Sequence, residues 1–468
     1  MDITSEMPDT IETPESALPT AGWREPARQV SLPEVYRSIT VPKNASWLRR
    51  LLAFVGPGYL IAVGYMDPGN WATDIQGGAV YNYRLLSVVL LSSLIAMFLQ
   101  SLAAKLGIVT GRDLAQACRD AYGTKFSLFL WISAEIGIVA CDIAEVLGAA
   151  IALNLLFHIP LVVGVLLTAL DVLLVLALQH KGFRWIEILV ISLIATMMII
   201  FLVEIVFARP EWTGSHGVFA GFLIHSELVR DQGMLYIALG ILGATVMPHN
   251  LYLHSSIIQT RRFGFTLAEL KDTIRLAYVD SSIALILAFF VNAAILILAA
   301  AAFYRSGHHE IGDIQGAYQL LTPLLGASLA TPLFAIALLA SGQNSTLTGT
   351  MAGQVVLEGF THFRISPWIR RMISRCLAIA PAIIAVGIYG EKGTGSLLIG
   401  SQVVLSIQLS FAIFPLIQFT SDRQKMGPFV NGWMTRSIGW TMAVIIALLN
   451  TYLVCYLAYT TFFPPKTH

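Results

Sequence analysis

The stretch Gly64-Tyr65-Met66-Asp67-Pro68-Gly69-Asn70 sets a carboxylate, a proline and an amide in the middle of an apolar run from Leu51 to Val80. A carboxylate at bilayer depth costs about 2.5–3.5 kcal/mol on the most lenient insertion scale, so its presence there calls for a function. Pro68 removes a backbone donor and Gly69 loosens the chain, which breaks a helix at the acid. Broken backbone survives within a membrane only where it faces protein or a water-filled cavity. Asp67, the Asn70 amide and the freed carbonyls then form a set of oxygen ligands for a cation.

A second run, Gly233 to Ile258, carries Gly243-Ala244-Thr245-Val246-Met247-Pro248-His249-Asn250, again a proline beside polar groups in mid-span. Paired interruptions in matching positions of two halves mark the substrate site of secondary transporters. Met247 adds a thioether, a soft donor that Mg²⁺ and Ca²⁺ do not seek. Carboxylate, amide, carbonyl and thioether together favour Mn²⁺, Fe²⁺, Co²⁺ or Cd²⁺; the bland alternative is that Met247 fills core space. Glu135, Asp142 and Glu145 fall near one face of the third apolar segment, as a proton or ion path would, or as acids paired with arginine. Arg375, at the start of the ninth segment, is a partner for them. His249 and His254 titrate near neutral pH when unperturbed, and five residues apart they do not share one metal. Gln402 and Gln408 lie in a tenth segment without charges, facing either a cavity or another helix. Asp171 and Glu204 are further intramembrane acids with no assigned role, and the four cysteines, Cys118, Cys141, Cys376 and Cys455, have no metal spacing and read as packing thiols.

The elements that must position these groups follow from composition. The 468 residues are 56% hydrophobic and only 12% charged, with net charge +1 and mean hydropathy +0.72. Soluble domains carry about 25% charged residues, so the chain reads as an all-α polytopic membrane protein with no bias toward nucleic acid. Apolar segments span 51–80, 84–108, 126–157, 160–179, 185–207, 233–258, 278–303, 331–358, 375–390, 396–420 and 438–462, eleven in all. The ninth is short, and the third is long enough to tilt or to include a turn outside the membrane. With the N-terminus cytoplasmic, the inner side takes most of the 29 Lys and Arg, leaving Arg84, Arg209, Arg230, Arg305, Lys392 and Lys466 outside. This places the C-terminus outside. Breaks in the first and sixth segments imply two five-helix repeats, 48–208 and 230–420, inverted because five is odd, with 438–462 as an added helix. Residues 1–47, rich in Pro, Glu and Thr, contain no signal peptide and read as a disordered cytoplasmic tail.

With Asp67-Pro68-Gly69-Asn70 in the first span and Met247-Pro248-His249 in the sixth, the chain resembles the Nramp family of proton-coupled divalent metal transporters, from about residue 45 to 462. The resemblance implies a leucine-transporter-like fold of five plus five inverted helices with an eleventh appended, in the cytoplasmic (inner) membrane. It implies Asp67, Asn70 and Met247 as metal ligands, with carbonyls of Gly64 or Ala244 according to state and Gln402 joining on occlusion. Asp67 then also takes part in proton binding, with Asp142, Glu145, His249 and Arg375 along the proton route, which Glu135 and His254 extend. Mn²⁺ or Fe²⁺ and H⁺ are the transported ions, with no permanently bound cofactor and no obligate protein partner beyond the lipid bilayer. One departure stands out: Ser410-Phe411 follows Gln408-Leu409 where the family has Pro-Phe, which bears on the bend of segment ten.

Competing readings are a Mg²⁺-transporting relative, against which Met247 argues, and a sodium-coupled organic-solute symporter. The latter needs donors for a substrate carboxylate in place of an acid and a thioether. An intramembrane metalloenzyme lacks an HExxH motif to support it.

Overall fold

Proline sets both breaks. In the computed structural model the first span is divided into α1 (Trp47–Phe54), α2 (Pro57–Gly64) and α3 (Pro68–Tyr81). Asp67 is the N-cap of α3, in extended backbone before Pro68, as the residue preceding a proline prefers. The sixth span repeats the device. Helix α9 (Gln232–Thr245) ends, Met247 is the extended N-cap, and α10 (Pro248–Ile257) begins with proline at its first position, where the missing N–H is no loss. The break between α1 and α2, at Val55-Gly56, was not marked in the sequence reading. The structure describes residues 22–24, 30–42, 44–170, 183–307, 314–317, 330–361 and 363–462.

Between these spans run α4 (Leu86–Thr110), the short α5 (Leu114–Ala121), α6 (Thr124–Phe157), α7 (Leu161–Leu167) and α8 (Phe183–Ala208). After the sixth span come α11 (Leu267–Ala299), α12 (Ala330–Thr361), α13 (Pro367–Thr420) and α14 (Trp433–Phe462). The long third segment is one unbroken helix. Its 34 residues rise ~51 Å at 1.5 Å each, more than a hydrocarbon core of ~30 Å, so α6 tilts or projects beyond it. Asp171 lies outside the described residues.

Helix α13 holds the ninth and tenth spans, hinged at Gly390, whose φ of 61° and ψ of −148° are non-helical. The backbone runs helically through Ser410, so the departure from Pro-Phe leaves this leg continuous, with Pro415 inside the helix. One expectation needs correcting. The ninth helix starts at Pro367, so Arg375 lies two turns inside it and does not open it. Hydropathy hid that start because Arg370, Arg371 and Arg375 crowd the first turns, and all three are buried in ion pairs.

The sixth span is the centre and the eleventh the periphery: residues of the apolar window are 94% buried in Gln232–Thr260 and 22% in Trp433–Tyr459. Trp71 of α3 sits edge-on between Phe201 and Phe334, at 5.0 and 5.1 Å between centroids, tying the first span to α8 and α12. Ile199, Leu202 and Val206 of α8 and Leu448 of α14 face outward, as lipid-facing side chains do. The tail corrects a second expectation, because its described part is packed. Ile39–Thr40 forms a two-residue parallel ladder with Arg261–Arg262. Ser31 donates to Asp113 at 2.6 Å, and Trp23 lies tilted 5.8 Å from Phe419 under the Arg112 guanidinium. A few anchoring side chains order a stretch whose average composition looks disordered.

Candidate functional site

The two breaks meet. A Cβ built on Gly64, at the end of α2, would lie 2.2 Å from Asn250 Nδ2 and 3.3 Å from Met247 Sδ. Only a glycine lets the first span approach the sixth this closely. A Cβ on Gly69 would lie 1.9 Å from Gln402 Nε2, which puts the α13 amide against the start of α3. Asp67, Asn70, Met247, Ala244 and Gln402 are all 0–1% exposed, so these groups lie inside the protein.

Its donors are held but not used up. Asp67 Oδ1 accepts the Asn70 backbone N–H at 2.8 Å, the ordinary N-cap bond. Asp67 Oδ2, Asn70 Oδ1, Gln402 Oε1, Thr245 Oγ1 and Asn250 Oδ1 are buried without a hydrogen-bond partner. Buried polar atoms nearly always have partners, and a cluster that does not points to a ligand. The Met247 sulfur receives the Asn250 amide at 3.7 Å. Helices α2 and α9 end here with their carbonyl termini, which carry partial negative charge and favour a cation. Among the described residues, no three His, Cys, Asp or Glu side chains gather as a metal-holding group. One carboxylate with neutral oxygens and a thioether suits an ion that must also leave. A cleft of about 470 Å³ lies elsewhere, lined by Asn82, Tyr83, Glu211, His216, Tyr304 and Arg305.

A second constellation is built on α6 and α13. Arg371 Nη1 donates to Asp142 Oδ1 at 2.6 Å and Arg371 Nη2 to Glu145 Oε2 at 2.9 Å. Arg375 reaches Glu145 at 3.3 Å and Thr346 Oγ1 at 2.6 Å, while Ser345 donates to Glu145 Oε1 at 2.9 Å. Two carboxylates and two guanidiniums therefore balance, each at most 1% exposed. Such a group is stable only if every charge stays compensated. Glu135 extends the row, pairing with Arg370 at 2.9 Å.

The two histidines part. His249 follows Pro248 at the second break, 2% exposed, with no partner on Nδ1. His254 Nδ1 lies 3.0 Å from Gln100 Oε1, and Gln100 Nε2 donates to the Tyr65 hydroxyl at 2.6 Å. It thus ties the sixth span to the second and, through Gln100, to the first, and takes no acid of α6 as partner. Gln408 stands by Gly137 of α6. On the other side of the breaks, Arg261 is fully buried and pairs with Glu187 at 2.7 Å. It also donates to the carbonyls of Phe54 and Val55 at 2.9 Å each, closing the gap between α1 and α2.

The sequence reading missed Arg371 as the bridge between Asp142 and Glu145, having started the ninth segment at Arg375. Its i, i+4 spacing to Arg375 was the available signal. Thr245 and Asn250 were also passed over, although both flank Met247-Pro248.

The model of the Nramp family, described as natural resistance-associated macrophage protein-like, matches residues 58–456. The chain belongs to the Nramp family. A divalent metal cation transporter MntH of Listeria monocytogenes is 57% identical over 93% of this chain and 96% of its own length. The MntH of Agrobacterium fabrum is 53% identical over 93% and 94%. The crystal structure of an Eremococcus coleocola manganese transporter superposes with a TM-score of 0.86 at 41% identity, over 94% of this chain and 93% of that one. Inward-facing Mhp1 matches with a TM-score of 0.54 at 13% identity, over 93% and 96%, a likeness of fold alone. This Nramp chain therefore has the leucine-transporter-like architecture, two inverted five-helix repeats with discontinuous first and sixth helices and an eleventh helix.

Proposed function

We propose that this chain imports divalent transition-metal ions, Mn²⁺ and also Fe²⁺, Co²⁺ and Cd²⁺, across the cytoplasmic membrane by proton-coupled alternating access. The observation that carries the reading is the set of buried unpartnered oxygens on Asp67, Asn70 and Gln402 around the first break, whose Gly64 packs against Met247 and Asn250 of the second. The names borne by the relatives support the cargo. Asp67, Asn70 and Met247 hold the ion, with carbonyls at Gly64 and Ala244 and with Gln402 closing over it. Coordination needs an ionised Asp67, so binding an ion displaces a proton. The balanced Asp142, Glu145, Arg371 and Arg375 group, with His249 beside the site and Glu135 farther along, gives that proton a path separate from the metal's. Rocking at the two breaks, with the Arg261 contacts released, exposes the site to the inside. The distribution of Lys and Arg supports a cytoplasmic N-terminus and an extracytoplasmic C-terminus.

Reconstitution tests this directly. Proteoliposomes should take up Mn²⁺ with acidification of the lumen and exclude Ca²⁺ and Mg²⁺. Asp142→Asn should keep Mn²⁺ binding by calorimetry while its metal-driven acidification falls. Uptake without any proton movement would remove the coupling, and no metal uptake would overturn the whole reading.

A further inference from the structure

The described part of the tail runs along the end of the molecule where α1 begins and α10 ends, and it ties two groups of elements together. On one side it holds the loop that follows α10. Ile39–Thr40 pairs with Arg261–Arg262, and the Arg37 N–H donates to the Gln259 carbonyl at 3.0 Å. The Arg37 guanidinium donates to the Phe263 carbonyl at 2.8 Å and lies 4.8 Å over the Phe265 ring. On the other side it holds α5 and α12. Ser31 donates to Asp113, the N-cap of α5, and accepts from Gln116 at 3.2 Å, while the Leu32 N–H reaches Glu358 at 3.3 Å. Arg261 serves twice: its backbone pairs with the tail, and its side chain fills the gap between α1 and α2. Only residues 41–46 separate the tail strand from α1. Leu32 and Arg37 have φ of 54° and 52°, left-handed backbone that a residue with a side chain keeps only where its surroundings enforce it. Contacts thus hold the tail in place against its own backbone preference.

We propose that residues 30–42 form a latch that fastens the loop after α10 to α5 and α12 while the gap at Val55-Gly56 is shut, and that it must unfasten before the first and sixth spans open to the inside. This rests on the alternating-access reading above. Arg261 is the mechanical link. Drawing α1 away from Arg261 loads the ladder through residues 41–46, and an intact ladder keeps Arg261 seated. A ladder of two residues does not persist by itself, so it parts once the Ser31 and Arg37 contacts let go.

The full chain in proteoliposomes tests this in two directions. Thr40 and Arg262 are partners in the ladder and both are exposed. At the ~4.8 Å spacing of paired strands, cysteines there fall within the range of about 4.4–6.8 Å that a disulfide bridges. With the disulfide of Thr40→Cys/Arg262→Cys formed, Mn²⁺ binding by calorimetry should persist while Mn²⁺ uptake falls about tenfold or more, as a blocked gating step does. Reductant should restore uptake. Each single-cysteine variant, which keeps the exposed Cys376 and Cys455, controls for the oxidant. Conversely, Ser31→Ala/Arg37→Ala should speed hydrogen exchange of the Gly56 and Gly58 amides about threefold or more. Those amides bond to Asp280, so they report on the gap and not on the tail's own contacts. Undiminished uptake through a verified disulfide, or unchanged exchange in the released variant, overturns the latch and leaves the tail as packing. Absence of Mn²⁺ uptake by wild type would instead defeat the underlying reading.

Discussion

Replacing Arg371 with Gln removes one positive charge from a group of two carboxylates and two guanidiniums, each no more than 1% exposed. Arg371 bridges Asp142 at 2.6 Å and Glu145 at 2.9 Å. Arg375 stays on Glu145 at 3.3 Å, so the variant carries an uncompensated negative charge among buried groups. Breaking a buried pair by removing one partner costs about 3–5 kcal/mol, most of it the stranded charge. The loss should appear in the unfolding free energy measured in mixed detergent micelles. Asp142→Asn in the same chain restores neutrality, and the double variant should recover at least ~1 kcal/mol of the loss as a coupling term. A single variant within ~0.5 kcal/mol of wild type, the range of an ordinary surface change, would refute the charge-balance argument. So would strict additivity of the two substitutions.

Met247→Ala should weaken Cd²⁺ most and Mn²⁺ less, and relax exclusion of Ca²⁺ and Mg²⁺, because it leaves hard oxygen donors in place. Competition of each ion against Mn²⁺ uptake reads this, and an unchanged rank order would reduce Met247 to packing. Outside the spans, burial pushes the Asp113 carboxyl up to about 6, against the lowering influence of Ser31, Gln116 and Arg119. The folded chain then holds a proton that the unfolded carboxyl, titrating near ~3.9, has released, so this group's contribution to stability falls as pH rises from about 4 to 6. Asp113→Asn should flatten that portion of the stability curve; an identical slope in variant and wild type would show that other groups set it.

The breaks were legible because proline acts locally. Pro68 and Pro248 each open a new helix at its first position, and Asp67 and Met247 precede them as the extended N-caps. The acids of α6 were legible by spacing. Their partners were not, because pairing between α6 and α13 joins residues more than 200 apart, and a hydropathy window treats Arg370 and Arg371 as loop. The Val55-Gly56 break was hidden for a related reason. Pro57 opens α2 as Pro68 opens α3, but no polar side chain accompanies it, and Arg261, far along the chain, supplies the donors its carbonyls need. Average composition did not show the packing of the tail's described part, where Trp23, Ser31 and Arg37 each find a specific partner.

The central claim is that Asp67 is both the charged ligand of the cargo and the point where metal displaces proton. Mn²⁺ uptake and lumenal pH measured together in proteoliposomes of wild type and Asp67→Asn test it most directly. The substitution keeps the side chain's size and an oxygen able to cap α3, so the protein should fold and elute as wild type does. Wild type should couple Mn²⁺ entry to acidification, and Asp67→Asn should show neither. Wild-type rates of Mn²⁺ entry through a well-folded Asp67→Asn variant would contradict the account.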